Sequence, residues 1–472
     1  MNFAKLKYFG RLNSLLQNFK KAIYGTDQDY TKGSLKKAIF LLSIPMVLEM
    51  LMESVFAVAD IKFVSKLGAD AVATIGITES LITIIYAISI GLSMATTALV
   101  SRRIGEKKSK DASKAAFQAI ILGILFSTII AIPGVIFSKE ILELMGANSQ
   151  IVENMSGYTS IMLGGNGIIM LLFIINAIFR SSGDAAISMR VLWLANILNI
   201  ILDPLLIFGF GPFPELGVKG AAIATNIGRG TAVIFQFYLL FSGKHRIRLD
   251  INSLKLNIQV LKQLLKISYG GIFQYLIATS SWIGLVRIIS IFGSEVVAGY
   301  TIAIRIIIFS LLPSWGISNA AATLVGQNLG ANKPERAERA VWATGKINML
   351  IMGIMGTIFI AFPDFFIKLF IDEPIVISSG SSCLRIVSFG FVAYGLGMVL
   401  ANSFNGAGDT ITPTKINLIS FWFIEIPLAY ILSLTFEMNE KGVFYSIIIA
   451  EMTMTVLAVY LFRKGKWKLK KV

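Results

Sequence analysis

Two apolar stretches carry side chains capable of binding a proton or a small cation. In PMVLEMLMESVFAVAD, residues 45–60, Glu49, Glu53 and Asp60 stand at i, i+4 and i+11 with Phe56 between them, so one helical face carries all three carboxyls. NILNIILDPLLIF, residues 196–208, repeats the pattern: Asn196, Asn199 and Asp203 lie at i, i+3 and i+7, and Trp193 extends that face by an aromatic. Pro204 frees a backbone carbonyl one turn before it. A carboxylate beside an amide and a free carbonyl suits a hard cation such as Na⁺. A carboxyl in low dielectric can equally load and release H⁺. The spacing leaves both open.

The elements that position these residues are membrane helices. The 472 residues are 55% hydrophobic and 15% charged, with a mean hydropathy of +0.73. No water-soluble core can hide so apolar a chain. Continuous apolar runs of roughly 20 residues fit helices across a bilayer and exclude a β-barrel. The runs predict an all-α polytopic membrane protein with twelve spans, near 38–64, 71–100, 115–137, 155–179, 187–210, 218–242, 267–292, 296–325, 341–362, 377–404, 414–436 and 442–462. An ionised carboxylate at a helix centre costs about 2.5 to 3.5 kcal/mol even on lenient insertion scales, so a lipid-facing stripe of three is excluded. The two polar faces must look into a wet chamber.

Chemistry of other kinds finds no residues. The single Cys383 and single His245 read as a packing residue and a linker residue, and no catalytic triad or zinc pair can be assembled from them. No G-x-x-x-x-G-K-[ST] loop is present to bind ATP. An enzyme is not expected, nor a cofactor, and an ion gradient is the expected energy source.

The net charge of +16 suggests nucleic acid until the basic residues are placed. Segments on one side of the twelve spans hold 33 of the 43 Lys and Arg, and the opposite loops hold only Lys62, Lys66, Lys139, Lys219, Lys368 and Lys441. That asymmetry predicts cytoplasmic termini in a cell membrane. Residues 3–23 set Phe3, Leu6, Phe9, Leu12, Leu16, Phe19 and Ile23 at helical spacing among basic residues, as a surface-lying membrane helix does. Arg229, Arg287, Arg305 and Arg385 fall within spans, and the last three with Glu425 and Glu451 are expected to neutralise one another in pairs.

The chain also repeats itself. GLSMATTALVSRRIGEKK from Gly91 overlays GISNAAATLVGQNLGANK from Gly316 at an offset of 225 residues. The same offset puts FRSSGD at Phe179 over FNGAGD at Phe404, Gly68 over Gly293, and Gly217 over Gly442. Six spans per copy give parallel repeats, an N-lobe (38–243) and a C-lobe (267–462), around a central cleft. A cytoplasmic basic segment (1–37), a basic linker (244–266) and a basic tail (463–472) complete the expected layout. The acidic stripe is not duplicated: the offset sets Gln274, Ala278 and Leu285 opposite Glu49, Glu53 and Asp60.

Together SIPMVLEMLMESVFAVADIKFVSKLGADAVA, FRSSGD, NILNIILDPLLIFGFG, GVKGAAIAT, GQNLGA and FNGAGDT resemble the multidrug and toxic compound extrusion (MATE) family, in order and over about residues 35–460. The resemblance implies rocker-switch export of mostly cationic, amphipathic organic compounds against H⁺ or Na⁺. It implies that Asp60, Asn199, Asp203 and Thr225 couple to the ion and that Asn176 lines the substrate chamber, to which the two polar faces add Glu53, Phe56, Trp193 and Asn196. One branch of the family also uses acidic residues of the seventh and tenth helices. Gln274 and Tyr394 stand at those places here, which favours the branch relying on the N-lobe aspartates. The expected partners are small organic cations, the coupling ion and membrane lipid, for a monomer without nucleic acid. The alternative reading is a flippase for a lipid-linked or polysaccharide precursor.

Overall fold

The computed structural model describes residues 16–25, 28–250 and 255–472. Among these residues, sixteen helices from Leu35 onward form two sets of eight. The first set is α1 (Leu35–Val64), α2 (Ala69–Gly105), α3 (Ser109–Ile136), α4 (Ser138–Leu144), α5 (Ser149–Gly164), α6 (Asn166–Ser182), α7 (Ala185–Phe208) and α8 (Val218–Phe241). The second is α9 (Ile258–Ile289), α10 (Ser294–Gly330), α11 (Pro334–Ala361), α12 (Pro363–Lys368), α13 (Pro374–Ser388), α14 (Phe391–Gly406), α15 (Ile411–Thr435) and α16 (Glu440–Arg463). Asn148 and Asn257 cap α5 and α9 by accepting from Ile151 N and Val260 N, and Pro334, Pro363 and Pro374 open their helices where no N–H is needed.

Among the described residues ten helical stretches are long and apolar enough to cross a bilayer. The pair α13 and α14, bent by 59°, makes an eleventh. α8, the remaining expected span, falls short by composition because it carries Lys219, Asn226, Arg229 and Gln236. The expected fourth and tenth spans are each two helices, broken after Gly164 and Ser388.

The two sets match helix for helix. α2 and α10 have 37 residues each and α3 and α11 have 28. Gly68 (φ 96°) and Gly293 (φ 109°) begin the second helix of each set in a backbone region that favours glycine. The 225-residue register fails at the last helix. Gly217 (φ 55°, ψ −135°) has its counterpart in Asn439 (φ 50°, ψ −142°), 222 residues away, and not in Gly442. Gly442 instead matches Gly220, and each presses against the backbone of the preceding helix. The physical cause is the connection before it. Residues 209–217 form a longer loop than residues 436–439, while α15 contains two π-helical stretches, Leu418–Glu425 and Ile431–Thr435, that take up extra residues.

The lobes meet through α1 and α2 on one side and α9 and α10 on the other. Close backbone approaches between them cluster toward the end bearing Arg102 and Arg103. A Cβ at Gly105 would collide with the Gln327 carbonyl, and one at Gly330 with the Arg102 carbonyl. Two segments strap this basic face. Arg246 donates to Gln28 O (2.9 Å) and Ser182 O (3.2 Å), whereas Lys333 and Arg336 of the other lobe donate to Thr31 O (2.9 Å), Tyr30 O (3.2 Å), Lys32 O (2.9 Å) and Gly33 O (3.0 Å). Partial burial opposes ionisation of Asp29 in this strap. Hydrogen bonds from Thr31 Oγ1 and N, with the charge of Lys32, outweigh it and hold the carboxyl below the usual range. At the other end of the chain, Lys470 pairs with Asp409 (3.1 Å) while its carbonyl accepts from Arg102 Nη2 (3.1 Å).

Residues 1–15 of the expected surface helix lie outside the described residues. Residues 16–24 are helical, and Ala22 is buried with Tyr30 and Ile39 against the bundle. Cys383 is 0% exposed, inside the C-lobe core with Leu384 and Phe391.

Candidate functional site

A cavity of about 280 Å³ opens between the lobes, walled by Glu53, Tyr86 and Phe173 on one side and Tyr275, Trp315 and Asn402 on the other. Such a volume suits a small organic molecule, and the aromatic walls suit planar apolar groups.

Two ion pairs shape the N-lobe wall. Buried Glu49 accepts from Arg180 Nη1 (3.0 Å) and Asn176 Nδ2 (3.4 Å), and Asn176 Oδ1 accepts from Gln236 Nε2 (2.6 Å). One turn on, Glu53 takes Arg229 Nη2 on one oxygen (3.1 Å) and Asn196 Nδ2 on the other (3.0 Å). The Arg229 guanidinium stacks over Phe56 (5.3 Å to the ring centre) and donates to Tyr86 OH (3.5 Å). The cavity wall is therefore close to neutral: each glutamate already has its arginine.

The third cluster lies behind that wall. Asp203 is 0% exposed, and Asn199 and Thr225 are buried beside it. Oriented to satisfy both neighbours, the Asn199 amide donates to Asp203 Oδ2 (2.8 Å) while its oxygen accepts from Thr225 N (3.0 Å) and Oγ1 (3.1 Å). Asp203 Oδ1 has no hydrogen-bond partner among the described residues. Leaving a buried acceptor open costs about 1 to 3 kcal/mol, which a bound proton or cation would recover. Asp60 lies within electrostatic reach of Asp203 and of Arg229.

The structure thus brings Asn199, Asp203 and Thr225 into contact, with Asp60 nearby. Glu53 and Asn176 line the cavity; Phe56 and Asn196 stand behind it and hold Arg229 and Glu53. Trp193 is not on the cavity wall: it is 38% exposed and its indole donates to Leu48 O (3.0 Å). Arg180, Arg229, Tyr86 and Gln236 complete the networks but escaped the sequence reading as site residues. The signal for Arg229 was a cation inside a span whose two neighbouring polar faces were acidic.

The paired neutralisation expected in the C-lobe is not found. Arg287, Arg305 and Arg385 are exposed, and neither Glu425 nor Glu451 forms an ion pair among the described residues. Arg305 instead lies within electrostatic reach of Glu79 of the N-lobe.

A duplicated bundle of membrane-length helices with a polar cavity between its lobes defines a transporter and not an enzyme. The family model described as MatE matches residues 45–205 and 272–431, one segment in each lobe, and the chain belongs to that family. It is 25% identical over 435 residues to "Probable multidrug resistance protein NorM" of Thermotoga maritima, covering 92% of this chain and 93% of that one. It is 27% identical over 432 residues to the "FAD transporter" of Shewanella oneidensis, covering 91% and 94%. A solved structure titled "Outward-facing conformation of a multidrug resistance MATE family transporter of the MOP superfamily" superposes with a TM-score of 0.88 at 26% identity, covering 94% of this chain and 99% of that one.

Proposed function

We propose that this protein exports amphipathic, mostly cationic organic compounds in exchange for H⁺ or Na⁺ by rocker-switch alternating access, in the cell membrane with both termini cytoplasmic. Asp60, Asn199, Asp203 and Thr225 bind the coupling ion. The observation that carries this reading is the position of Arg229, which pairs with Glu53 on the cavity wall and feels Asp60 beside Asp203.

Neutralising the Asp60/Asp203 pair with H⁺ or Na⁺ frees Arg229 from the attraction of Asp60 and tightens its hold on Glu53. A cationic substrate competes with Arg180 and Arg229 for Glu49 and Glu53. Ion and substrate then favour opposite access states, which is what coupling requires. The name of the Shewanella relative places a flavin dinucleotide on the substrate panel beside organic cations.

The test is substrate-driven H⁺ or Na⁺ counterflow in proteoliposomes across that panel. Asp203→Asn and Asp60→Asn should each lower counterflow at least about tenfold, about 1.4 kcal/mol of lost coupling at the minimum. Wild-type flux in both variants would sink the mechanism.

A further inference from the structure

The C-lobe holds a second, smaller cavity of about 50 Å³, lined from α9, α10, α13, α14, α15 and α16. Trp193 of α7 donates its indole N–H to Leu48 O of α1, and Trp422 of α15 donates to Ile277 O of α9 (3.3 Å). The two bonds lie 229 residues apart, one helical turn beyond the 225-residue register, so they are similar contacts and not equivalent ones; Asn196 follows the first tryptophan by three residues and Glu425 the second. The 222-residue spacing of the last helices sets Glu451 on the position of Arg229. Where the N-lobe joins a carboxylate, an amide and a guanidinium, the C-lobe joins an indole and two carboxyls.

Both carboxyls line the cavity, with apolar Leu285, Ile307 and Phe391 around them. Glu425 is 2% exposed, and its Oε2 and that of Glu451 have no hydrogen-bond partner among the described residues. The groups facing them are Ser281 of α9, Tyr300 of α10 and Tyr394 of α14, with Cys383 of α13 behind Tyr300. None is a cation. Two carboxylates in one apolar cavity without a cation cannot both ionise. One proton between or on the carboxyls satisfies the site, and the competing occupant, a metal cation ligated by the same carboxyl and hydroxyl oxygens, is the outcome that the Na⁺ measurement below separates.

We infer that Glu425 and Glu451 form a proton-binding site of the C-lobe, separate from the Asp60/Asp203 site. The proton is held while the cavity is closed and is released when movement of α15 or α16 admits water to the carboxyls. This inference does not rest on export activity.

Trp282 lines the same cavity and reports on it. The test uses the purified full chain in detergent, titrated from about pH 5 to about pH 9, the span over which buried carboxyls ionise. The Trp282 signal is the fluorescence difference from Trp282→Phe, and the protonated-carboxyl C=O band is followed by infrared difference spectroscopy. We expect a pH-dependent Trp282 signal and a carboxyl band in the wild type, with both lost or shifted in Glu425→Gln and in Glu451→Gln and retained in Asp203→Asn. Either glutamine variant suffices if the other does not fold. A carboxyl band and Trp282 signal identical to wild type in the glutamine variants would overturn the inference. So would a Trp282 response to Na⁺ at fixed pH, which would make the site one for a metal cation.

Discussion

On its cavity wall the N-lobe pairs each glutamate with a cation, Glu49 with Arg180 and Glu53 with Arg229, and leaves Asp203 unpaired only behind that wall. The C-lobe, built from the same eight helices in the same order, keeps Glu425 and Glu451 without a cation. Duplication preserved what the fold needs, namely helix lengths and the glycines at the lobe interface, while an indole bond between the first and seventh helices recurs one helical turn out of register. It did not preserve what the cavities hold. The lesson is that helix packing and cavity chemistry are set by different faces of the same helices, so one can diverge while the other stays fixed.

The largest effect expected from breaking this contrast is at Arg229. Replacing it by Met strands Glu53 and should destabilise the protein by about 3 kcal/mol, whereas Glu451→Gln at the matching place should change stability by less than about 0.5 kcal/mol. Apparent unfolding temperatures in detergent read both, and equal losses would mean the lobes do not differ in this way. A smaller effect is expected where the lobes agree. Gly105→Ala and Gly330→Ala each press a methyl into a carbonyl of the facing helix, and each should cost about 1 to 3 kcal/mol and open the basic face. Thiol labelling of a cysteine placed at Ser101 measures that opening, and a response to only one of the two glycines would break the symmetry. The smallest effect tests the shared indole bond: Trp193→Phe and Trp422→Phe should each lose about 1 kcal/mol, by the same amount in thermal unfolding.

Much of this was legible in the residues. Long apolar runs mark every membrane-length helix, because hydrocarbon demands continuous apolar length. The breaks at Gly165 and Gly390 inside two of those runs left no mark in composition. Nor did the register shift at α16, since a π-turn costs residues without changing hydropathy. At the site, Asn199 and Asp203 stand one helical turn apart, and spacing alone puts them on one face. Thr225 entered only through family resemblance. Arg180 meets Glu49 across 131 residues, a pairing that no local pattern encodes. Helical phase told that Trp193 shares the face of Asn196, but not that its indole would reach the α1 backbone.

The buried thiol of Cys383 gives this molecule its own spectroscopic blank. With the chain's one cysteine sealed in the C-lobe core, introduced cysteine pairs carry spin labels or fluorophores against almost no background. One label beside Thr31 in the strap and another near Lys470 form a ruler across the basic face, and its length reads directly which side of the membrane the cavity addresses.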